Sequence, residues 1–173
     1  MITIETEYCN PISQDFYDDT VYSIDLNLIP CTCGHSGCLT WYGSYSRKLR
    51  QGDSIFLLRV ARVFCNSCGH SHALLLSPIV PYSQIPLPVQ ASIAQCYENG
   101  SGYRDILAAH SFIDENTISS VIRSYRRHWK ERLASMLIRL MPLRELVRDC
   151  FVHFSRPFMQ IKNTPNKLFL SPT

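Results

Sequence analysis

The sequence has no long hydrophobic run and no recognisable export signal. Apolar stretches such as residues 55–58 and 74–76 are far shorter than the roughly 20 residues that span a bilayer. The first residues include Glu5 and Glu7, and they lack both the basic and the apolar region of a secretory signal peptide. We therefore expect a cytoplasmic protein that has no membrane partner.

Glycine is also scarce, with 7 among 173 residues, whereas hydrophobic residues make up 46% and charged residues 18%. These proportions exclude a collagen-like or largely disordered chain and are typical of a globular protein. The length suits one ordinary domain or two small ones.

Acidic residues become rare after the first 30 residues. Residues 1–30 contain six of the 14 acidic side chains and none of the 17 lysines and arginines, which leaves a net charge of +9 for residues 31–173. We interpret the first segment as an acidic arm and the remainder as a basic body. A basic body favours a nucleic acid partner, and an uneven but merely solvated surface is the alternative.

Catalytic carboxylates are missing where an enzyme would need them. Asp53 is the only acidic residue between Cys31 and His72, so no glutamate stands beside the cysteines and histidines as it does in a zinc deaminase. After residue 132 the acidic residues are Glu145 and Asp149, too few for a two-metal nuclease. We therefore expect a protein that is not an enzyme.

Cysteine, in contrast, is concentrated. Five of the eight cysteines lie in two short clusters and are the candidate metal ligands: Cys31, Cys33, Cys38, Cys65 and Cys68. The second cluster is a C-x-x-C-G turn, in which two thiolates converge on one ion. Residues 39–49 and 54–64 alternate as β-strands do, and a turn at 51–53 joins them. Two metal-binding turns connected by a hairpin predict a zinc ribbon that binds structural Zn²⁺.

The spacing leaves open which four cysteines bind the ion. The set with the best spacing is Cys33, Cys38, Cys65 and Cys68, and Cys31 could replace either Cys33 or Cys38. Nearby histidines more often hydrogen-bond to the thiolates than bind the metal, and we keep them as minor candidates: His35, His70 and His72. We expect the scattered cysteines to be small buried hydrophobic residues: Cys9, Cys96 and Cys150.

The second half of the sequence has helical periodicity, which begins after a proline-rich segment at 77–88. We predict helices at 88–99, at 102–109 with Ser101 as a possible cap, after an N-cap at Asp114, at 133–140 and at 143–154. The apolar stripe of the last helix is either core or a self-association face. A strand at 21–28 and a loosely ordered tail after residue 156 are further expectations.

The helix that follows Asp114 has two distinct sides. One side is an apolar stripe formed by Ile118, Val121, Ile122, Tyr125 and Trp129. Short polar residues and cations occupy the other side, as in the second helix of a helix-turn-helix, which reads base edges in the major groove. The candidate DNA contacts on this helix are Asn116, Thr117, Ser120, Arg123, Arg127 and Lys130. Those on the hairpin are Arg47, Lys48 and Arg62, together with Arg50 and Arg59.

These segments predict an α+β protein, in which a small zinc-ribbon β-hairpin or three-stranded sheet precedes an all-α helix-turn-helix bundle. The expected divisions are an acidic arm at 1–30, a zinc ribbon at 31–76, a proline-rich connector at 77–88, a helix-turn-helix at 89–132, and a C-terminal helix with a loose tail at 133–173.

The motifs resemble a known family. The run P-C-T-C-G-H-S-G-C at 30–38, the pattern R-x-x-R-x-x-C-x-x-C-G at 59–69, and P-Y-S at 81–83 resemble an uncharacterised bacterial family similar to the zinc-ribbon plus helix-turn-helix N-terminal region of insertion-sequence transposases. The resemblance covers about residues 29–130. It implies recognition of the terminal repeats of a mobile element, in double-stranded DNA.

Those transposases cut DNA with a later RNase H-like domain, which this sequence does not contain. The resemblance therefore implies a DNA-binding regulator or a transposase remnant, without nuclease activity. The alternative is a zinc-ribbon module that binds protein, as an accessory subunit to a separate transposase or polymerase, or through self-association.

Overall fold

The chain folds as an α+β protein with a four-stranded sheet and six helices in the part described by the computed structural model, residues 1–6 and 11–160. The strands are β1 (Ile2–Ile4), β2 (Leu39–Gln51), β3 (Ser54–Cys65) and β4 (Ser71–Leu76). The helices are α1 (Gln14–Tyr22), α2 (Leu87–Glu98), α3 (Tyr103–Ala109), α4 (Glu115–His128), α5 (Lys130–Ser135) and α6 (Leu143–Phe154), with a short 3₁₀ turn at Leu26–Leu28. Cys9 lies outside the described residues.

The sheet has the strand order β1-β4-β3-β2. The antiparallel hairpin of β2 and β3 confirms the two strands predicted between the cysteine clusters, and its turn has Gly52 at a φ of +58°. Strand β1 adds to the far edge, parallel to β4, with Ile2 opposite Leu74. Strand β1 was not predicted, because the alternation in Ile2-Thr3-Ile4 is too short to distinguish a strand from other structures.

The strand predicted at 21–28 is wrong. Helix α1 occupies residues 14–22 because Ser13 caps it, accepting a hydrogen bond from the backbone N–H of Phe16 at 3.1 Å. Tyr17 and Val21, one helical turn apart, are fully buried against the sheet. The acidic segment is therefore in large part a folded layer, and Asp18 contacts Arg59 of β3 at 3.2 Å.

Tyr17 fills a gap in the sheet. Its hydroxyl donates to the carbonyl oxygen of Leu74 on β4 at 2.8 Å and accepts from the N–H of Ala61 on β3 at 2.9 Å. Burial raises the pKa of Tyr17, so the hydroxyl keeps the proton that it donates. The side chain thus replaces a ladder hydrogen bond where β3 and β4 diverge beyond the Arg62–Ala73 pair.

The helices form a second core. The predicted stripes of α4 and α6 are both buried in it, and this burial identifies the α6 stripe as core. Trp129, fully buried between α4 and α5, packs edge-on against the rings of Phe154 and Phe158. Because Phe158 and Met159 are also buried, the predicted loose tail is wrong for residues 157–160, and the rest of it lies outside the described residues.

Two smaller helix predictions are also wrong. Helix α5 ends at Ser135, so residues 136–140 do not continue as a helix. The N-cap of α3 is Gly102, without a side-chain hydrogen bond, and Ser101 does not cap it. None of the described helices combines the length and the apolar character needed to cross a membrane.

Arginines of β2 join the sheet to the helices. The guanidinium of Arg47 donates to the carbonyl oxygens of Val80 and Ser83, at 2.5 and 2.8 Å. Arg50 donates from its guanidinium to the carbonyl of Phe112, in the turn between α3 and α4, at 3.0 Å. Hydrogen bonds from a charged donor are among the stronger ones, so these residues fix the hairpin against the helical half.

We expect Tyr17→Phe to destabilise the protein by about 2 kcal/mol, because the Ala61 N–H and the Leu74 carbonyl would both lose their buried partner. For a chain of this size that is a fall in Tm of roughly 4–8 °C. Thermal or urea unfolding of the metal-loaded protein measures it. Tyr22→Phe is the matched control, since Tyr22 is 53% exposed. Equal stability of the two variants would contradict the bridging role of the Tyr17 hydroxyl.

Candidate metal centre and nucleic-acid surface

Four cysteines meet at one end of the β2–β3 hairpin. Cys31 and Cys33 come from the turn that precedes β2, Cys65 ends β3, and Cys68 lies in the turn before β4. All four sulfur atoms lie within 4.8 Å of one another. The Sγ atoms of Cys31 and Cys68 are 3.7 Å apart, and those of Cys33 and Cys65 are 3.8 Å apart.

The two separations of 3.7 and 3.8 Å match those in a metal-binding tetrahedron. Four sulfur atoms about 2.3 Å from a central ion lie about 3.8 Å from one another when the arrangement is regular. Thiols that are merely hydrogen-bonded or incidentally close have no reason to form a group of four. The group can therefore hold one metal ion with four thiolate ligands and no open coordination position.

Both ligand turns have similar backbone hydrogen bonds. In the first turn, the Gly34 N–H donates to the Cys31 carbonyl and the Cys31 N–H to the His35 carbonyl, each at 2.8 Å. In the second, Gly69 donates to Cys65, at 2.9 Å. Gly34 and Gly69 have φ values of +92° and +71°, which disfavour a residue with a Cβ. Gly34 and Gly69 thus allow the two tight turns that bring the thiols of each cluster close together.

Cys38 is the clustered cysteine that stands outside this group of four. Its Sγ donates to the carbonyl oxygen of His35 at 3.1 Å and lies 3.3 Å from the Sγ of Cys65. In the structure Cys31, and not Cys38, joins Cys33, Cys65 and Cys68. This is one of the two replacements that the sequence left open. Spacing alone missed this, because the positions of the sulfur atoms depend on the glycine-shaped turn.

Histidines surround the thiols. The Nε2 atom of His72 on β4, which is buried, lies 3.3 Å from the Sγ of Cys31, and Nδ1 of His35 lies 3.5 Å from the Sγ of Cys33. His70 instead contacts the carbonyl of Cys68. Such partners orient metal ligands without binding the ion themselves.

The thiols differ in acidity. Burial raises the pKa of Cys31 to about 12. Burial also acts to raise that of Cys65, but hydrogen bonds from the Cys68 N–H and from neighbouring thiols outweigh it and lower the pKa of Cys65 to about 6. The backbone N–H of His35 lowers the pKa of Cys33. Part of the cluster therefore favours the thiolate form that binds metal.

Helix α4 begins at a strong cap. Asp114 accepts from the N–H of Thr117 at 2.9 Å and from its hydroxyl at 2.7 Å. The cap confirms the predicted start of this helix. It also engages the Thr117 hydroxyl, which the sequence analysis assigned to DNA contact, and Thr117 is half-buried.

The outward side of α4 is polar and basic. Asn116, Ser120, Arg123 and Arg127 are all exposed and recur at spacings of four, three and four, so they form one stripe along the helix. No carboxylate of the described residues pairs with either arginine. Lys130, by contrast, forms an ion pair with Glu98 at 2.8 Å.

A cleft of about 620 Å³ adjoins this stripe, between α4 and the ends of α2 and α3. Its charged lining consists of Arg123, Arg126 and Arg127, and Tyr97 and Tyr103 supply rings. The guanidinium of Arg126 lies 5.9 Å from the centre of the Tyr97 ring. Neither tyrosine was predicted to lie at the surface, because the helical spacing of both residues is typical of core positions.

The hairpin cations have different surroundings. Arg47 and Arg50 are engaged with backbone carbonyls, as described above, and Arg59 pairs with Asp18. Lys48 is exposed. Arg62 lies 5.5 Å from the centre of the Tyr42 ring and donates to the Ser71 hydroxyl. Of the hairpin residues predicted to contact phosphate, Lys48 and Arg59 are thus exposed, although Arg59 is paired with Asp18, and Arg62 is half-buried.

Comparison with protein-family models, with curated proteins and with solved structures finds no match for this chain.

We expect Cys31→Ser to lose its metal and Cys38→Ser to keep one ion per chain, because Cys31 and not Cys38 completes the tetrahedron. The measurement is the metal content of Zn²⁺-loaded protein after dialysis against a competing chelator. Cys38→Ser is the matched control, since both thiols are buried. The reverse result, with metal lost from Cys38→Ser alone, would show that Cys38 is the fourth ligand.

Proposed function

We propose that the chain is a non-catalytic, zinc-dependent protein that binds double-stranded DNA through helix α4. The observation that carries the proposal is the exposed stripe of Asn116, Ser120, Arg123 and Arg127. Its first two members are short side chains near the capped N-terminus, suited to base edges, and the arginines that follow suit phosphates or guanine. Helices α3 and α4, with the turn between them, would act as a helix-turn-helix.

Zinc is the ion that we assign to the four cysteines. Four thiolates at tetrahedral separation are the usual ligand set of structural zinc. The ion would join the turn before β2 to the turn before β4, and so complete a zinc ribbon. A ligand set with no open position supports a structural rather than a catalytic ion.

The polarity of the surface supports nucleic acid as the partner. The cleft next to the stripe has three arginines and no carboxylate in its lining. A phosphate backbone that passes over α4 could enter this cleft, with Arg126 and Arg127 as its partners. We further propose a role in a mobile element, as a recognition module or regulator, and this part rests on the sequence resemblance alone.

A second candidate function is protein binding by the tip of the hairpin. Ile55 and Leu57, two residues apart on β3, are 51% and 60% exposed, and they share a face because successive side chains alternate along a strand. Adjacent exposed apolar residues are characteristic of protein interfaces. The partner would be another subunit, such as a separate transposase or polymerase, or a second copy of the chain.

We expect the double variant Arg123→Ala, Arg127→Ala to bind duplex DNA more weakly, and the slope of log affinity against log salt to fall by about 2, since two phosphate contacts are lost. Fluorescence anisotropy with a 20-base-pair duplex of random sequence, titrated between 50 and 200 mM salt, measures both. The control is Arg139→Ala, Arg148→Ala, which removes the same charge from exposed positions outside α4.

Three results would contradict parts of the proposal. Wild-type affinity and slope in the α4 variant would exclude the α4 surface. Equal weakening of duplex binding in the control would show that the affinity depends on net charge and not on the α4 stripe. Absence of duplex binding at 50 mM salt would exclude double-stranded DNA as the partner and favour the protein-binding alternative.

A further inference from the structure

One face of the sheet carries three aromatic side chains and one arginine, which we call the open face: Tyr42, Tyr45, Arg62 and Phe64. Tyr42 and Tyr45 are exposed, and Arg62 and Phe64 are half-buried. Tyr45 on β2 pairs with Val60 on β3, and Phe64 pairs with Thr40, so alternation along the strands puts the group on one side. Ring contacts agree with this placement. The rings of Tyr42 and Phe64 are 5.6 Å apart, and the Arg62 guanidinium lies over Tyr42.

A β-bulge presents Tyr42. The pairing shifts between Trp41 and Ser44, so that Tyr42 and Gly43 together oppose the single residue Arg62. Gly43 has a φ of +95°, a conformation that a residue with a Cβ adopts only with strain. Bulges redirect side chains at functional edges of sheets. Here the bulge leaves Tyr42 57% exposed beside the arginine.

Other parts of the sheet are covered. At the far end of the same face, Leu49, Leu58 and Val60 are fully buried. On the opposite face lies α1, whose Tyr22 ring is 5.0 Å from that of Trp41. The open face therefore lies next to the metal centre. None of the described helices or strands covers its exposed rings.

The charges divide in the same way. The acidic side chains of α1 lie with that helix over the opposite face, where Asp18 pairs with Arg59. Within residues 31–76 Asp53 is the one carboxylate, and it lies in the β2–β3 turn, at the end of the hairpin away from the cysteines. A partner of the open face therefore meets aromatic rings and positive charge without a nearby acid from these elements.

We propose that the open face binds single-stranded DNA, with unpaired bases stacked on Tyr42 and Tyr45 and with Arg62 against the phosphate backbone. Exposed aromatic rings interleaved with arginine on a sheet are the usual means of holding unpaired bases without sequence preference. The choice of DNA over RNA rests on the proposed duplex-binding function of α4. The stacking itself depends only on the sheet, so the two surfaces can be tested separately.

The experiment uses the full-length Zn²⁺-loaded protein and a fluorescein-labelled 15-nucleotide oligo(dT), with binding read by anisotropy. We expect Tyr42→Ala and Tyr45→Ala each to weaken oligo(dT) binding at least about fivefold, the smaller end of what loss of one base–ring stack costs. Tyr42→Phe should restore wild-type binding because its ring still stacks. The matched control is Tyr22→Ala, which removes a similarly exposed tyrosine from the other face.

A second comparison separates this proposal from that for α4. We expect the Arg123→Ala, Arg127→Ala variant to keep its oligo(dT) affinity, and Tyr42→Ala to keep its duplex affinity. If the Arg123→Ala, Arg127→Ala variant loses only duplex binding, the oligo(dT) site does not depend on the α4 surface. Metal content and Tm of each variant, which should match the wild type, show that the exposed substitutions leave the fold intact.

Several outcomes would overturn the proposal. One is wild-type oligo(dT) affinity in both alanine variants, and another is the absence of oligo(dT) binding at 50 mM salt. Failure of Tyr42→Phe to restore binding would show that the hydroxyl, not a stack, makes the contact. Tighter binding to oligo(rU) would overturn the choice of DNA. Self-association that Tyr42→Ala abolishes, without any oligo(dT) binding, would assign the face to a second copy paired at the free edge of β2.

Discussion

The convergence of four thiols is the constraint on which the sheet depends. It connects three stretches of chain: the turn before β2, the end of β3 and the turn before β4. Cys31, Cys38 and Cys65 belong to the core under the sheet, and His72 carries the contact from Cys31 into β4. Four neighbouring thiolates would repel one another without a cation, and a metal ion converts that repulsion into a cross-link. Strand β2 is exposed along most of its length, so the apolar burial at the base of the hairpin comes mainly from Leu39 on β2 and from Val63 and Cys65 on β3.

The arginines of the chain divide into internal and external roles. Arg47 and Arg50 donate to carbonyls of the connector and of the α3–α4 turn, so they set the position of the hairpin on the helical half. Arg123 and Arg127 pair with no carboxylate of the described residues, and both are exposed on α4. This division means that net charge alone overestimates the surface available to a polyanion, since a share of the basic side chains stabilises the fold.

The two proposed surfaces differ in chemistry because they stand on different elements. A helix presents a stripe of four residues at a spacing that suits a duplex groove, with short side chains at one end. A bulged strand presents flat rings side by side, a surface that accepts a base only when it is unpaired. The acidic helix α1 lies on the other face of the sheet, where Tyr22 contacts Trp41 and Asp18 pairs with Arg59. The charge asymmetry of the sequence thus becomes a difference between the two faces.

The elements that could be predicted from the sequence are those whose signals are local: the β2–β3 hairpin, the Asp114 cap with the buried stripe of α4, the bounds of α6, and the grouping of the clustered cysteines. Periodicity, capping and turn residues act within a few positions, so each can be recognised in one segment. Other features emerge only in the folded structure: the parallel pairing of β1, the burial of α1 and of Phe158, the internal use of Arg47, and the convergence of Cys31 with Cys33, Cys65 and Cys68. Each of these depends on contacts between residues far apart in the chain, since the same local pattern is compatible with several partners until the fold selects one.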